Sequence, residues 1–559
     1  MYYQGNPYGC EWGNMSWGHL TSRDLITWEV QTSPALIPDQ SYDAQGVFTG
    51  CMVPPRSGAG NQLTVAYSSI CKLPFHWSTP PYPRDAAGLA IATSYDAGKS
   101  WQKCSENPIV SGEPADMPVT GFRDPFIAPW PAADVLLGHD SGTKLYGLVS
   151  GGIQSSGPTT FLYEMQSSDI TSWKFIGSLV DLPVNFQPSK KWNGSYGVNW
   201  ECVNFLSFST DSKEKNILII GAEGNIERDQ IRSFELPVDV TPRTVRTQVW
   251  MSGDLVKNSA GIKFQYQSGG FLDHGAYYAA NSFREAKSGR YIVYGWVPEE
   301  DITAERARKK GWNGSLALPR ELFLLKVPRV VKALHSSLTE ITNFEMERRG
   351  DGAFDLYTLG IRPIAEFEHF RNLSIKKYQS ESSIELPQSS QGRHQWLYST
   401  ISATWELEAT ISVSAGCETV GFCIRHNHDF SVCTTILFST LLQSITVNRE
   451  ATNVEPDINR CSESGPFTLF TSRRGTENQT GPVDLLQEPL RLRIILDRDV
   501  LEVFANDRFA LATMVYYSQP DMKLRDITAL ATGEDGSAVI ENVRVWDGLN
   551  GGKSAFATD

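Results

Sequence analysis

Short runs rich in β-branched and aromatic residues follow one another along the first 300 residues, broken by glycine, proline and asparagine. Such runs occupy residues 62–67, 145–149, 217–220 and 291–296. Few long segments carry the apolar period of 3.6 that indicates a helix. The pattern therefore predicts a mostly β protein.

A weak internal repeat lies within this region. Each copy has a Ser-x-Asp turn followed a few residues later by Trp, and the copies start 72 and 73 residues apart, at Ser22, Ser94 and Ser167. An Asp that caps a turn and a Trp that anchors the next strand are typical of β-hairpins. Three such matches can arise by chance, but equal spacing favours a repeated unit of several strands, as in a β-propeller. The first unit is short by more than half, which predicts an incomplete first blade.

The pattern of apolar and polar residues changes near residues 325–365, where polar stretches replace the apolar runs. Beyond them, residues 405–411, 490–497 and 500–506 alternate between apolar and polar positions. Period-two alternation with polar turns predicts the half-buried antiparallel strands of a β-sandwich. We therefore expect a propeller domain at residues 1–335, a linker at 336–365 and a sandwich domain at 366–559.

Composition excludes several classes of function. A chain of 559 residues with 41% hydrophobic and 20% charged residues is an ordinary globular protein of about two domains. The net charge of −13 argues against nucleic acid as a partner, and no apolar run reaches the length of a membrane span. No CxxC pair occurs, and the close pair His426 and His428 lacks a third ligand, so we expect neither a metal nor a cofactor.

Two features bear on localisation, and they disagree. The first residues lack the basic start and apolar stretch of a signal peptide, so the protein is intracellular or its true beginning is absent. Sequons for N-glycosylation weakly favour secretion. They occur at Asn14, Asn193, Asn313, Asn372 and Asn478.

Two acidic residues have settings that suit glycosidic-bond chemistry, which needs one carboxyl to give a proton and another to stabilise positive charge on the sugar ring. Asp124 follows Arg123, and a neighbouring guanidinium is expected to lower the pKa of Asp124 and keep it ionised. Glu201 lies between Trp200 and Cys202, where partial desolvation is expected to raise its pKa, as a general acid requires. The alternatives are a surface ion pair for Asp124 and a solvent-facing strand residue for Glu201.

Taken together, these and other segments resemble glycoside hydrolase family 32, the β-fructofuranosidases, which include invertases, inulinases and fructosyltransferases. The resemblance runs nearly end to end. Val203 after Cys202, and Thr49 where Ser is common, are similar to the filamentous-fungal branch. The matching segments are residues 4–7, 12–19, 47–50, 122–125, 200–202, 272–275, 295–296, 318–322 and 501–506.

The resemblance implies a five-bladed β-propeller followed by a C-terminal β-sandwich, with a central funnel that holds one fructose unit. It implies a secreted enzyme whose only partner is a small sugar: sucrose, a fructo-oligosaccharide or an inulin-type fructan. Glu201 would be the acid/base and Asp124 the transition-state stabiliser. The residues implied as sugar contacts are Gln4, Trp12, Asp43, Phe48, Arg123, Glu223, Asp273, His274 and Trp296.

One departure from the family is serious. The family's nucleophilic Asp belongs to an Asn-Asp-Pro-like segment that should lie upstream of Gln4, and only Met1, Tyr2 and Tyr3 precede Gln4 here. We therefore expect a chain truncated at its N-terminus and a retaining mechanism that is impaired. The alternatives are a catalytically inactive sugar-binding protein of the same fold and an enzyme of a related five-bladed clan that acts on arabinose or xylose. Neither the choice between hydrolysis and transfer nor the preferred fructan follows from the sequence.

Overall fold

The computed structural model describes most of the chain, and every structural statement below refers to that part. Asn478, one of the five sequons, lies outside it. The described residues are 1–55, 62–210, 213–224, 243–259, 261–386, 389–474, 484–517, 524–533 and 538–549.

The first three sheets follow one another along the chain, and within each the strands pair antiparallel in sequence order. The first sheet holds β1 (Tyr2–Gly5), β2 (Ser16–Thr21) and β3 (Glu29–Val30). The second holds β4 (Gly46–Met52), β5 (Leu63–Ile70), β6 (Ala87–Ser94) and β7 (Gln102–Lys103). The third holds β8 (Val119–Ala128), β9 (Lys144–Ile153), β10 (Gly157–Gln166) and β11 (Asp169–Ser178).

The fourth and fifth sheets complete a five-bladed propeller, in which β4 contacts β8, β8 contacts β12, and β12 contacts β16 around the centre. The fourth sheet holds β12 (Asn199–Thr210), β13 (Lys213–Glu223), β14 (Arg246–Asn258) and β15 (Gly261–Phe271). The fifth holds β16 (Tyr278–Arg284), β17 (Tyr291–Val297), β18 (Ser315–Leu316), β19 (Arg320–Ala333), β20 (Glu345–Arg348) and β21 (Phe354–Pro363).

The repeat seen in the sequence marks the last hairpin of each of the first three blades. The Asp24 carboxylate accepts a hydrogen bond from the Thr27 amide at 2.7 Å, and Asp96 accepts one from the Ser100 amide at 2.9 Å. The third copy lies in the turn between β10 and β11. The first blade has three described strands where the next three blades have four, so the prediction of a short first blade is confirmed.

The second domain is a β-sandwich whose two sheets enclose a large apolar core around the fully buried Trp405 and Phe422. One sheet holds β22 (Lys376–Gln379), β23 (Ile384–Leu386), β25 (Thr404–Val413), β32 (Leu490–Asp497), β33 (Val500–Ala505), β34 (Phe509–Met514) and β36 (Ala538–Asp547). The other holds β24 (Ser389–Ser399), β26 (Thr419–His426), β27 (Thr434–Ser439), β28 (Ser444–Asn448), β29 (Glu463–Pro466) and β35 (Asp526–Gly533).

The segment expected as a linker, residues 336–365, instead contains β20 and β21, which pair into the fifth sheet. Buried Leu356, Leu359 and Ile361 hold β21 against the core, whereas the largely exposed β20 accounts for the polar texture of this segment. Strands β30 (Phe470–Arg473) and β31 (Leu485–Gln487) also join this sheet through β19. We therefore propose a domain boundary just after β21.

Among the residues that the structure describes, helices are few and short, as the sequence predicts. They are α1 (Pro131–Leu137), α2 (Ala304–Lys310) and α3 (His369–Leu373), with 3₁₀ turns at Leu338–Glu340 and Ala365–Glu368. In the described part of the chain, no helix is both long and apolar enough to cross a membrane. Helix α2 lies in the long connection between β17 and β18 of the fifth blade, which is called the excursion of that blade below.

Candidate active site

Asp124 and Glu201 lie on the neighbouring inner strands β8 and β12, and both strands are irregular at these residues. Pairing of β8 with β9 shifts between Arg123 and Phe126, and Asp124 has a positive φ of 60°. Pairing of β12 with β13 shifts after Glu201, where Cys202 has a φ of 49°. Such bulges redirect side chains and are frequent at functional sites.

Hydrogen bonds lock Asp124 into this geometry. Its own amide donates to the Ser68 hydroxyl at 2.7 Å, and its carboxylate accepts a hydrogen bond from the Cys202 amide at 3.2 Å. These contacts join blades two, three and four at one point. The carboxylate is therefore held by neighbouring blades rather than by its own strand.

Arg123 organises the carboxyls around it. Its Nε and Nη2 donate to Glu201 Oε1 at 3.0 and 2.6 Å, and Nη2 also donates to Glu223 Oε2 at 3.2 Å. The nearest approach of Arg123 to Asp124 is longer, 4.0 Å. A single buried cation thus faces three carboxyl groups.

The electrostatics reverse the order of acidity expected from the sequence. Burial would raise the pKa of Glu201, but the charge and hydrogen bonds of Arg123, together with the Tyr278 hydroxyl, hold it below its usual value. Burial raises the pKa of Asp124 to about 6 against the weaker pull of Arg123. The expectation was wrong because Arg123 reaches across to Glu201, and because Trp200 is buried with its indole N–H donating to Tyr196 O at 2.9 Å.

Glu223 is the third carboxyl of the cluster. Its Oε2 accepts a hydrogen bond from Asn199 Nδ2 at 2.8 Å. Burial and the charge of Glu201 raise its pKa to about 7, although Arg123 opposes the shift. The cluster therefore contains two carboxyls that hold protons easily and one, Glu201, that does not.

An aromatic wall borders the cluster on the side of the first two blades. Trp12 is 68% exposed and meets Phe48 edge to face at 5.8 Å, and Phe48 packs against Phe75. The Arg123 guanidinium lies over the Phe75 ring at 5.7 Å. Gln4 donates to the Thr49 hydroxyl at 2.8 Å. An exposed indole beside polar groups can stack on a sugar ring.

The opposite wall comes from the fifth blade. The Tyr278 hydroxyl donates to Glu201 Oε2 at 2.9 Å, and the Arg246 guanidinium lies 4.7 Å from the Tyr278 ring centre and 5.0 Å from that of Trp296. The structure thus brings Trp296 to the cluster through Arg246. The sequence analysis missed Tyr278 and Arg246; the aromatic pair after residues 272–275 was the only signal for Tyr278, and we find none for Arg246.

Three of the predicted sugar contacts lie elsewhere. Asp43 is fully buried, paired with Lys103 at 2.5 Å and bonded to the Tyr67 hydroxyl at 3.0 Å. Asp273 is 2% exposed and paired with Arg320 at 2.8 Å, while His274 is half-buried and stacks on Phe509 of the sandwich.

Asp43 and Asp273 are paired with cations inside the protein, and the His274 ring packs against the sandwich, so we leave all three out of the proposed site. Of the residues predicted to contact the sugar, the structure gathers six near the carboxyls: Gln4, Trp12, Phe48, Arg123, Glu223 and Trp296.

A five-bladed propeller with a C-terminal sandwich and a carboxyl cluster at the inner strands defines the glycoside hydrolase class. This chain belongs to glycosyl hydrolases family 32: the N-terminal domain of that family matches residues 1–333 and the C-terminal domain residues 366–547. The chain is therefore an enzyme of this family by descent.

Among curated relatives, an insoluble β-fructofuranosidase from Arabidopsis thaliana is 24% identical over 98% of this chain and 85% of its own length. A fructan 6-exohydrolase from Beta vulgaris is 22% identical, over 98% and 81%. A solved β-fructofuranosidase from Aspergillus kawachii, complexed with glycerol, superposes with a TM-score of 0.83 at 28% identity, covering 98% of this chain and 89% of the other. A fructosyltransferase from A. japonicus has the same TM-score at 24% identity, with 98% and 90% covered, and shows the fold alone.

Proposed function

We propose that this protein cleaves or transfers β-fructofuranosyl units of sucrose or fructans. The observation that carries the proposal is the convergence of Asp124 and Glu201 on Arg123 at the propeller centre. The relatives described above, which include β-fructofuranosidases and a fructan exohydrolase, support the substrate class. The partner is a small sugar.

In this proposal Glu201 is the acid/base. Its side chain is 20% exposed, against 5% for Asp124 and 6% for Glu223, so it is the carboxyl of the three most open to a leaving-group oxygen. A general acid must carry its proton, and Arg123 holds the pKa of Glu201 below its usual value. Asp124 must be ionised while Glu201 is protonated, and its pKa is raised to about 6, so the productive state is the one in which the two carboxyls hold a single proton. Activity should therefore fall as the pH rises and removes that proton, and fall again in acid as Asp124 also becomes protonated.

Asp124 takes the role of transition-state stabiliser. Its carboxylate is fixed by the amide of Cys202, so it can meet developing positive charge on the sugar ring without reorganising. Arg123 and Glu223 face the same space and supply donors and acceptors for the fructose hydroxyls. Trp12 supplies an apolar face to the ring.

A retaining reaction also needs a nucleophilic carboxylate beside the acid/base. Within the described residues, the carboxyls gathered at Arg123 are Asp124, Glu201 and Glu223. This observation favours, as the second candidate, a protein that binds fructosyl sugars with impaired turnover. Removal of an activated nucleophile lowers the rate by several orders of magnitude while sugar contacts persist.

Incubation of the 559-residue chain with sucrose and with inulin, with quantified fructose release, separates the two candidates. The first predicts turnover that Glu201→Gln abolishes. A matched control is Glu164→Gln, a buried carboxylate of the third blade that pairs with Lys174, which should retain turnover. Tryptophan fluorescence titrated with fructose gives the second readout. Binding without turnover supports the second candidate, and turnover undiminished in Glu201→Gln contradicts the assignment of Glu201.

We also propose that the protein is secreted. A relative described as a cell wall isozyme, from Pisum sativum, is 23% identical over 94% of this chain. The sequon residues Asn14, Asn313 and Asn372 are exposed and open to a glycan, whereas Asn193 is fully buried with its amide bonded to the Tyr266 hydroxyl.

A further inference from the structure

A buried arginine of the sandwich domain begins a series of contacts that ends at Glu201. Arg449 follows β28 and is 2% exposed. Its Nη1 donates to Asp301 Oδ2 at 2.8 Å, across the interface between the domains, and to the Met514 carbonyl at 2.6 Å. Its Nε donates to the Cys461 carbonyl at 2.9 Å. The guanidinium is therefore held firmly from the sandwich side.

Asp301 lies in the excursion of the fifth blade between β17 and β18. Besides Arg449, it accepts hydrogen bonds from Arg243 Nε at 2.6 Å and Nη2 at 2.5 Å. Burial would raise the pKa of Asp301, but the two guanidinium groups lower it to about 2. The carboxylate is thus ionised at every pH of interest, and it ties the entry of β14 to the sandwich.

Glu300, the residue before Asp301, continues this series of contacts toward the active site. Glu300 accepts hydrogen bonds from the Thr244 amide at 3.1 Å and the Thr244 hydroxyl at 3.0 Å. It also accepts one from Arg246 Nη2 at 2.7 Å. Glu300 therefore fixes both the backbone before β14 and the direction of the Arg246 side chain.

Arg246 transmits this constraint to Glu201. Its guanidinium is packed between the rings of Tyr278 and Trp296, and the Tyr278 hydroxyl donates to Glu201 Oε2 at 2.9 Å. A guanidinium is attracted to an aromatic face only while it lies within about 6 Å of the ring centre. Movement of the Asp301 segment would therefore move both the hydroxyl and the positive charge that face Glu201.

We propose that Arg449 is a positioning residue of the active site: the sandwich domain sets the orientation of Arg246 and Tyr278, and thereby of Glu201, through Asp301 and Glu300. The inference rests on the proposed function, in which Glu201 gives and takes the proton. It assigns the second domain a part in the chemistry although it contributes no side chain to the carboxyl cluster described above.

The competing explanation is that Arg449 only stabilises the contact between the domains. A second buried arginine provides the matched control. Arg320 is fully buried and bridges Asp273 and Glu502 of the sandwich, both at 2.8 Å. Its guanidinium packs on Tyr277 and Phe504, which belong to the apolar core rather than to the carboxyl cluster. Loss of either arginine leaves buried carboxylates with fewer partners, so both variants should lose thermal stability.

The test compares Arg449→Met and Arg320→Met in the full chain, with Arg449→Lys as a milder variant that keeps the charge. Hydrogen exchange followed by mass spectrometry reports on the peptides that cover residues 199–204, 243–250 and 278–284. We expect Arg449→Met to accelerate exchange in these peptides by about 5-fold or more, because local opening is no longer opposed by Asp301. Arg320→Met should leave the peptides that cover residues 199–204 and 243–250 near wild type.

The second readout is the pH profile of fructose release. In Arg449→Met the alkaline limb should move to higher pH, because the positive charge of Arg246 is one of the groups that lower the pKa of Glu201. Arg320→Met should keep the wild-type limb, and Arg449→Lys should lie between.

Equal exchange in both methionine variants, or changes confined to the sandwich, would overturn the proposal whatever the activity. A wild-type chain that neither binds nor turns over fructosyl sugars, but shows the predicted exchange pattern, would instead refute the proposed function.

Discussion

Replacement of Glu223 by glutamine is expected to stabilise the protein, and only at neutral and alkaline pH. Glu223 is 4% exposed, and burial with the charge of Glu201 raises its pKa from 4.5 to about 7. At 1.36 kcal/mol per pKa unit, ionised Glu223 costs the folded state about 3 kcal/mol. The raised pKa already includes the attraction of Arg123, so this is the net effect.

The sign follows from where the proton binds. A folded-state pKa above the unfolded value contributes stability that is fully present below about pH 4.5 and is lost as the pH rises through about 7. In the Glu223→Gln variant, the amide side chain keeps the shape and the capacity to hydrogen-bond Asn199 but does not titrate. The variant should match wild type near pH 4 and exceed it near pH 8 by up to about 3 kcal/mol, a few degrees in Tm.

Thermal unfolding of both proteins between pH 4 and pH 8 measures the effect. Glu164→Gln is a control whose stability should change in the opposite direction. Burial alone would raise the pKa of Glu164, but Lys174, His139 and Lys144 hold it below its usual value. That variant should lose stability at pH 8 and approach wild type in acid. A Glu223→Gln variant that is less stable than wild type at pH 8, or equally shifted at both pH values, would refute the reasoning.

Two further predictions concern turnover in a chain that is active. Tyr278→Phe removes the hydroxyl that donates to Glu201 at 2.9 Å and helps to lower the pKa of Glu201. The alkaline limb of the pH profile should therefore move to higher pH, and kcat should fall about tenfold. An unchanged pH profile would contradict this role of the contact. Trp12→Ala removes an indole that is 68% exposed, so KM for sucrose should rise about tenfold with kcat nearly constant. Tyr95→Ala, an equally solvent-exposed aromatic on an outer turn of the second blade, is its control; an effect on kcat alone would argue against sugar stacking.

Local sequence predicted the blades well because their last hairpins depend on local chemistry. In the turns at Asp24 and Asp96, the carboxylate binds amides three and four residues further on, so the signal lies within each turn. The boundary between the domains was harder. The exposed edge strand β20 is polar at most positions, and this made residues 345–348 resemble a linker.

The two acidic motifs were found from the sequence, but their electrostatics were not. The sequence places Arg123 next to Asp124, but the strand bulges there, and the two side chains approach only to 4.0 Å. The closest carboxylate to Arg123 is Glu201, 78 residues away. A marked motif also does not reveal what its side chain contacts. Asp273 pairs with Arg320 of the fifth blade, and His274 stacks on Phe509 of the sandwich.

A crystal structure of the protein soaked with fructose tests the central claim most directly. The account predicts one fructose at the centre of the propeller, with hydroxyls within hydrogen-bonding distance of Asp124 and Arg123 and its anomeric carbon facing Glu201. Fructose bound only at another surface, or an empty carboxyl cluster at saturating fructose, would contradict the account.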